Sequence, residues 1–120
     1  MFRFERLRVW HKAIELYDIV DEVVGAFPAK ARYSLADQLR RATLSISSNI
    51  AEGSGRETIK ESQHFFTVAK ASTFEVVSIA RVCQRRKLIE TEKYQDIYER
   101  AEEISKMLTG LKRMPTATRL

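Results

Sequence analysis

Residues 38–56 read QLRRATLSISSNIAEGSGR, and this stretch decides how the chain folds. It opens with paired arginines, Arg40 and Arg41, and passes through Ser45, Ser47, Ser48 and Asn49. Leu39, Ala42, Ile46 and Ile50 recur every three or four residues, the period of a helix with one apolar stripe. Ser and Asn side chains compete for backbone hydrogen bonds, so a helix rich in them gives up propensity. A chain that accepts this cost needs close helix approach or a polar contact there. The helix is predicted from about Ser34 to Glu52, with Ser34 as N-cap and Leu35 on the stripe. Gly53 is expected to stop it, and the next helix follows at once.

Three more segments carry helical periodicity on either side of this one. The first runs from about Leu7 to Val24, with Trp10, Ile14, Tyr17, Val20 and Val24 as its stripe; Gly25 and Phe27-Pro28 end it. The third runs from about Ile59 to Arg86. It starts with the capping-box pattern Thr58-Ile59-Lys60-Glu61. Phe65, Ala69, Ser72, Val76, Ile79 and Cys83 follow as a coiled-coil-like seam. The fourth runs from about Glu92 to Leu111, with Thr91 as N-cap and a stripe of Tyr94, Ile97, Ala101, Ile104, Leu108 and Leu111. Short connections make successive helices antiparallel, so the expected fold is all-α, an up-down-up-down four-helix bundle. Residues 1–114 form the expected single domain, and 115–120 a flexible basic tail.

The third helix has more apolar surface than one seam requires: Phe66, Val68, Ala71, Phe74, Val77, Ala80 and Val82. A helix apolar on two sides is buried on two sides, either against a second subunit or against two neighbours in its own bundle. The first alternative predicts a homo-oligomer with Phe66 and Phe74 at its interface.

Composition sets the outer limits. With 120 residues, 44% hydrophobic and 31% charged, the chain has the make-up of one soluble, ordered domain. No apolar run is long enough to span a membrane, and MFRFERLRVW lacks the apolar core of a signal peptide. One cysteine, Cys83, fits a reducing cytoplasm. The net charge is +5, but it is unevenly placed: residues 26–87 carry +6, while 12–25 and 88–106 carry −3 each. Arg3, Arg6 and Arg8 make the N-terminus basic, and Lys112, Arg113 and Arg119 the C-terminus. A segregated basic surface would bind nucleic acid through phosphates.

Catalytic constellations are thin. Glu61-x-x-His64 has the spacing of a di-iron bundle motif. The second histidine, His11, has Arg8 and not a carboxylate three residues earlier, so Glu61 and His64 read as a surface ion pair or part of a solvated face. Cys83 reads as a small buried hydrophobe. The serines lack a general base. Gly53-Ser54-Gly55 is not a Walker motif. It reads as a tight turn with a left-handed glycine; the alternative is an anion contact made by Arg56 and the following helix N-terminus. No catalytic residue, metal or cofactor is assigned.

The chain resembles the four-helix-bundle family of 23S rRNA-intervening-sequence proteins. The resemblance rests on Leu7-Arg8-Val9-Trp10, Phe27-Pro28, Tyr33-Ser34-Leu35 and Gln38-Leu39-Arg40-Arg41-Ala42. Its most specific part is Asn49-Ile50-Ala51-Glu52-Gly53, followed by Gly55-Arg56; Phe65, Ala69, Ser72 and Glu75 continue in register. Ala71 stands where the family usually has glycine. The resemblance implies a ring, commonly a homopentamer, with no established enzymatic activity. It also implies a likeness to accessory proteins of diversity-generating retroelements, which bind nucleic acid and a reverse transcriptase.

The expected function is therefore non-enzymatic RNA or DNA binding by a cytoplasmic homo-oligomer. Arg40, Arg41, Arg56, Arg81, Arg85, Arg86 and Lys87 are the candidate phosphate contacts. Asn49, Glu52, Gly53, Phe66 and Phe74 are assigned to structure or interface. The alternative is a protein-interaction scaffold, such as an accessory subunit of a reverse transcriptase, that binds no nucleic acid itself.

Overall fold

Phe27-Pro28, the glycines around Ser54 and the corner at Lys87-Leu88 divide the chain into four long helices in a computed structural model that describes residues 1–114. They are α1 (Arg8–Gly25), α2 (Asp37–Ser54), α3 (Ile59–Arg85) and α4 (Thr91–Lys112). A single 3-10 turn, Arg3–Arg6, precedes them. Each helix packs on its sequence neighbours, and α1 also packs on α4, which closes an antiparallel bundle 46 Å long and 21 Å across. The expected C-terminal tail, 115–120, lies outside the described residues.

The helix starts differ from the sequence expectation in two places. Ser34 does not cap α2. The chain is already helical at Ala29–Ala31 after Pro28, widens into a π-helical turn at Arg32–Ala36, and enters α2 with Ala36 in helical geometry. Proline is tolerated at a helix start, so helix resumes at once and the wide turn absorbs the register. Thr91 does not cap α4 either. Glu90 holds the cap position with extended backbone, and Thr91 Oγ1 accepts a bond from Gln84 Nε2 at 3.2 Å, which ties α4 to α3. The start of α3 is as predicted: Thr58 Oγ1 accepts from the Glu61 N–H at 3.2 Å.

The core registers come out with two shifts. All six stripe residues predicted for α4 are buried. In α1 the core face is Val9, Ala13, Leu16, Val20 and Val24, one residue back from the predicted stripe in its first turns, and Trp10, Ile14 and Tyr17 are only half-buried. In α3 the core takes Phe66 and Ala80 instead of Phe65 and Ile79. Phe66 is fully buried inside its own bundle, so it is not available to another subunit. Fully buried Leu, Ile, Val and Phe side chains each contribute about 1.5–3 kcal/mol of transfer free energy.

The contact between α2 and α3 explains the small polar residues. Gly53 does not stop α2. It is buried inside the last turn, and a Cβ placed on it would lie 2.7 Å from Phe66 Cε1 and 3.1 Å from Phe65 Cβ. The glycine is there for close approach, and it has no left-handed backbone; Gly55, the C-cap, has φ −88°. Ser45 Oγ lies 2.9 Å from Ser72 Oγ across the contact. Asn49 Nδ2 donates to Ser45 O at 2.8 Å and to Ser45 Oγ at 3.0 Å. The buried hydroxyls of Thr43 and Thr73 donate to their own helix at Leu39 O and Lys70 O, each at 2.6 Å. Every polar group named here has a partner, which a buried interface requires.

Candidate nucleic-acid interface

Antiparallel packing gathers the middle of the sequence at one end of the bundle. The first turns of α2 carry Arg40 and Arg41; the last turns of α3 carry Arg81 and Arg85, with Arg86 and Lys87 just beyond. Six of the seven candidate cations therefore share the end where α2 begins and α3 finishes. Arg56 does not join them. It precedes α3, whose 27 residues separate it from Arg85 by about 40 Å at 1.5 Å per residue.

The shared end is not purely basic. Arg40 Nε pairs with Asp21 Oδ1 of α1 at 2.9 Å. Arg41 pairs with Asp37 one turn earlier at 3.5 Å. Acidic α1 thus reaches the basic end, contrary to the segregation expected from charge along the chain. Arg81 is held by Gln84 at 2.9 Å and lies over the Tyr94 ring at 5.5 Å. Arg85, Arg86 and Lys87 are exposed and have no ion pair among the described residues. Arg85 and Lys87 border an open cleft of about 570 Å³ at the α3–α4 corner, lined also by Arg81, Leu88, Ile89 and Glu90, among others.

Lys87 is also the one non-glycine residue with positive φ, +61°, among the described residues. Its N–H bonds Gln84 O and the Leu88 N–H bonds Cys83 O, each at 2.9 Å, the pattern of a Schellman helix end. Glycine is the preferred residue at that position; a left-handed non-glycine residue costs roughly 1–2 kcal/mol. The chain places a cation there instead.

At the far end, Arg56 is committed to local contacts. It pairs with Glu52 at 3.2 Å and its guanidinium lies 4.6 Å from the Phe65 ring centroid. Its Nε is buried without a hydrogen-bond partner. Glu52 is thus a surface partner for Arg56, while Asn49 belongs to the α2–α3 polar contact. His64 sits edge-on to Phe65 at 5.2 Å, and no group of three His, Cys, Asp or Glu is placed to hold a metal among the described residues. Cys83 is fully buried, and burial pushes its thiol pKa up, so it is a poor nucleophile in the folded chain.

One apolar patch stands out on the α3–α4 face. Phe74 is 66% exposed and Tyr98 37%. With Val77 and Ala101 they line a cleft of about 360 Å³. Sequence reasoning singled out Phe74 but not Tyr98, because Tyr98 is off the α4 stripe. It also passed over the rings at the N-terminus, where the alternation of Phe2, Phe4 and Trp10 with Arg3, Arg6 and Arg8 was the available signal. No described helix is long and apolar enough to cross a membrane.

Residues 5–110 match the family described as 23S rRNA-intervening sequence protein. Among solved structures, the chain is similar to a crystal structure of a protein with unknown function from the S23 ribosomal protein family of Bacteroides thetaiotaomicron. That similarity has a TM-score of 0.79 at 21% identity and covers 88% of this chain and 99% of the other. No curated protein sequence matches.

Proposed function

The chain belongs to the 23S rRNA-intervening sequence protein family, and from that premise we propose that it binds RNA or other nucleic acid without catalysing a reaction on it. The contacts are to backbone phosphates, made by the α2–α3 end of the bundle. The observation that carries this reading is the trio Arg85, Arg86 and Lys87, exposed and without an ion pair among the described residues. Arg81 extends the trio into the corner cleft. Arg40 and Arg41 contribute less, since each already has a carboxylate, and Arg56 serves its own helix junction.

The protein acts as a homo-oligomer in this reading, and the Phe74–Tyr98 face is the contact between copies. A ring of five is the state that the family resemblance implies. A ring repeats the basic end around its axis and multiplies weak phosphate contacts into useful avidity.

The test is RNA affinity, by fluorescence anisotropy, as a function of salt. Each phosphate neutralised adds about 0.7–0.9 to the slope of log K against log salt. Replacing Arg85 and Arg86 by alanine and Lys87 by glycine removes three contacts per copy and lowers the slope by about 2–3 for each copy engaged. Affinity that is unchanged between about 50 and 200 mM salt refutes phosphate binding. Phe74→Glu, read by light scattering, should reduce the mass toward the 13.9 kDa of one chain.

A further inference from the structure

The first ten residues alternate rings and cations: Phe2, Arg3, Phe4, Arg6, Arg8, Trp10. In the folded chain the rings form a ladder. Phe2 and Phe4 stack at 5.8 Å with 21° between their planes. Phe4 meets Trp10 at 4.8 Å, and Trp10 meets His11 edge-on at 5.0 Å. The inner rings, Phe4 and Trp10, are half-buried, while the outermost, Phe2, is 73% exposed.

The backbone that carries the exposed ring is held. The Phe2 N–H donates to Glu5 Oε1 at 3.0 Å, and the Glu5 N–H returns a bond to Phe2 O at 3.2 Å. His11 Nε2 lies 2.7 Å from Glu5 O and ties the turn Arg3–Arg6 to α1. Ordering a side chain that stays mostly in water returns little burial free energy. A fixed, flat, exposed ring is what a second flat ring can stack on without a further ordering cost.

The surroundings specify what that second ring belongs to. Arg3 and Arg6 are exposed with no ion pair among the described residues. Beside the ladder, an open cleft of about 630 Å³ separates the arm from the last turns of α2 and is lined by Phe2, Phe4, Ser48 and Ser54, with Glu52 and Glu57. Carboxylates repel phosphate, so the cleft suits a base edge and the arginines suit the backbone. Aromatic rings flanked by cations are how proteins hold single strands, because every base offers a π face. A duplex keeps those faces stacked inside.

We propose that residues 1–10 form a base-stacking platform for single-stranded nucleic acid, with a base on Phe2 and the flanking phosphates on Arg3 and Arg6. The platform is at the end of the bundle opposite Arg85–Lys87 and stands independently of phosphate binding there. An anionic lipid surface also attracts rings and arginines. It would leave the concave cleft unused, and it would favour fully exposed rings over the half-buried Phe4 and Trp10.

Trp10 is the only tryptophan and lies in the ladder, so its fluorescence reports the site. The full chain is titrated with a 15-nucleotide oligouridine, a 15-base-pair RNA duplex, and vesicles of phosphatidylglycerol and phosphatidylcholine. The single strand should quench Trp10 saturably and the other two should not. Phe2→Ala should weaken oligouridine binding roughly 5- to 150-fold, the range for one stacked base, with the melting temperature unchanged; Phe2→Tyr should restore it. An Arg85→Ala/Arg86→Ala variant should keep the quench whether or not that end binds phosphate. Equal affinity of Phe2→Ala and the parent, equal quenching by the duplex, or quenching by vesicles alone each overturns the proposal.

Discussion

Gly53→Ala tests the close contact on which the bundle turns. In an open helix this change is favourable by about 1 kcal/mol, because alanine has the better helix propensity. At Gly53 the new methyl would sit 2.7 Å and 2.8 Å from two ring carbons of Phe66, and 3.1 Å from Phe65 Cβ. Phe66 is fully buried and cannot swing into solvent, and Phe65 Cβ is fixed to the α3 backbone. Relief therefore requires α2 and α3 to separate by several tenths of an ångström, an overpacking cost of about 1–3 kcal/mol. The net expectation is a loss of up to about 2 kcal/mol, or up to about 8 °C in Tm for a chain of this length. Gly110→Ala is the matched control: Gly110 lies in α4 with nothing within 4 Å of its Cβ position, so the propensity gain should appear unopposed. Calorimetry or thermal circular dichroism of both variants separates the terms. A second change, Phe66→Leu, should cost less in the Gly53→Ala background than alone, because it removes the clash. A Gly53→Ala protein as stable as the Gly110→Ala protein would refute the argument.

Three further outcomes follow from local geometry. Lys87→Gly should raise stability by about 1 kcal/mol, since it relieves a φ of +61°, and in the phosphate-binding reading it should lower the salt slope of RNA binding by nearly one per copy engaged. Cys83 should resist thiol reagents in the native protein and react fully in denaturant, because burial both shields it and raises its pKa. Lys12 Nζ donates to Glu103 Oε1 at 2.8 Å, and that bond holds the Glu103 carboxyl below its ordinary pKa. A depressed carboxyl stabilises the fold above its unfolded pKa and loses that contribution as pH falls through the folded value. Lys12→Met should therefore lower stability at pH 7 by less than about 1 kcal/mol, as for an exposed pair, and the gap from the parent should close on acidification below the usual carboxylate range.

The helix count was legible because proline, glycine and a Thr–Glu cap are local signals, although the left-handed position falls on Lys87 and not on a glycine. The stripe of α4 was legible for the same reason: its apolar residues have few apolar neighbours to confuse the period. The α3 seam was not. Phe65 and Phe66 are both aromatic, and Ile79 and Ala80 both apolar, so periodicity alone cannot say which of each pair faces inward. What decides it is Gly53 on another helix, which makes room for the Phe66 ring. In α1 the bulky Trp10 and Tyr17 carry the apolar period of the predicted stripe, whereas the fully buried residues are Ala13 and Leu16. Ser34 looked like a cap because nothing in the sequence announces the π-helical turn that carries helix through it. The candidate site had the same weakness. Charge summed along the chain separated acidic α1 from the basic middle, but folding brings Asp21 to Arg40.

The two ends of the bundle share a property that its sides lack. Along the sides, apart from the Phe74–Tyr98 face, local choices agree with the fold: most apolar residues face inward, most hydroxyls bond their own helix, and most ion pairs join adjacent turns or adjacent helices. At the ends the chain departs from what stability alone would choose. Lys87 occupies a left-handed position that favours glycine, and Phe2 is ordered while 73% exposed. Sequences otherwise consistent across levels keep such departures where something besides folding selects them. A lysine at a glycine position adds charge, and a fixed exposed ring adds a stacking face. In the two proposals made above, the former would hold a phosphate and the latter a base, at opposite ends of a rod 46 Å long.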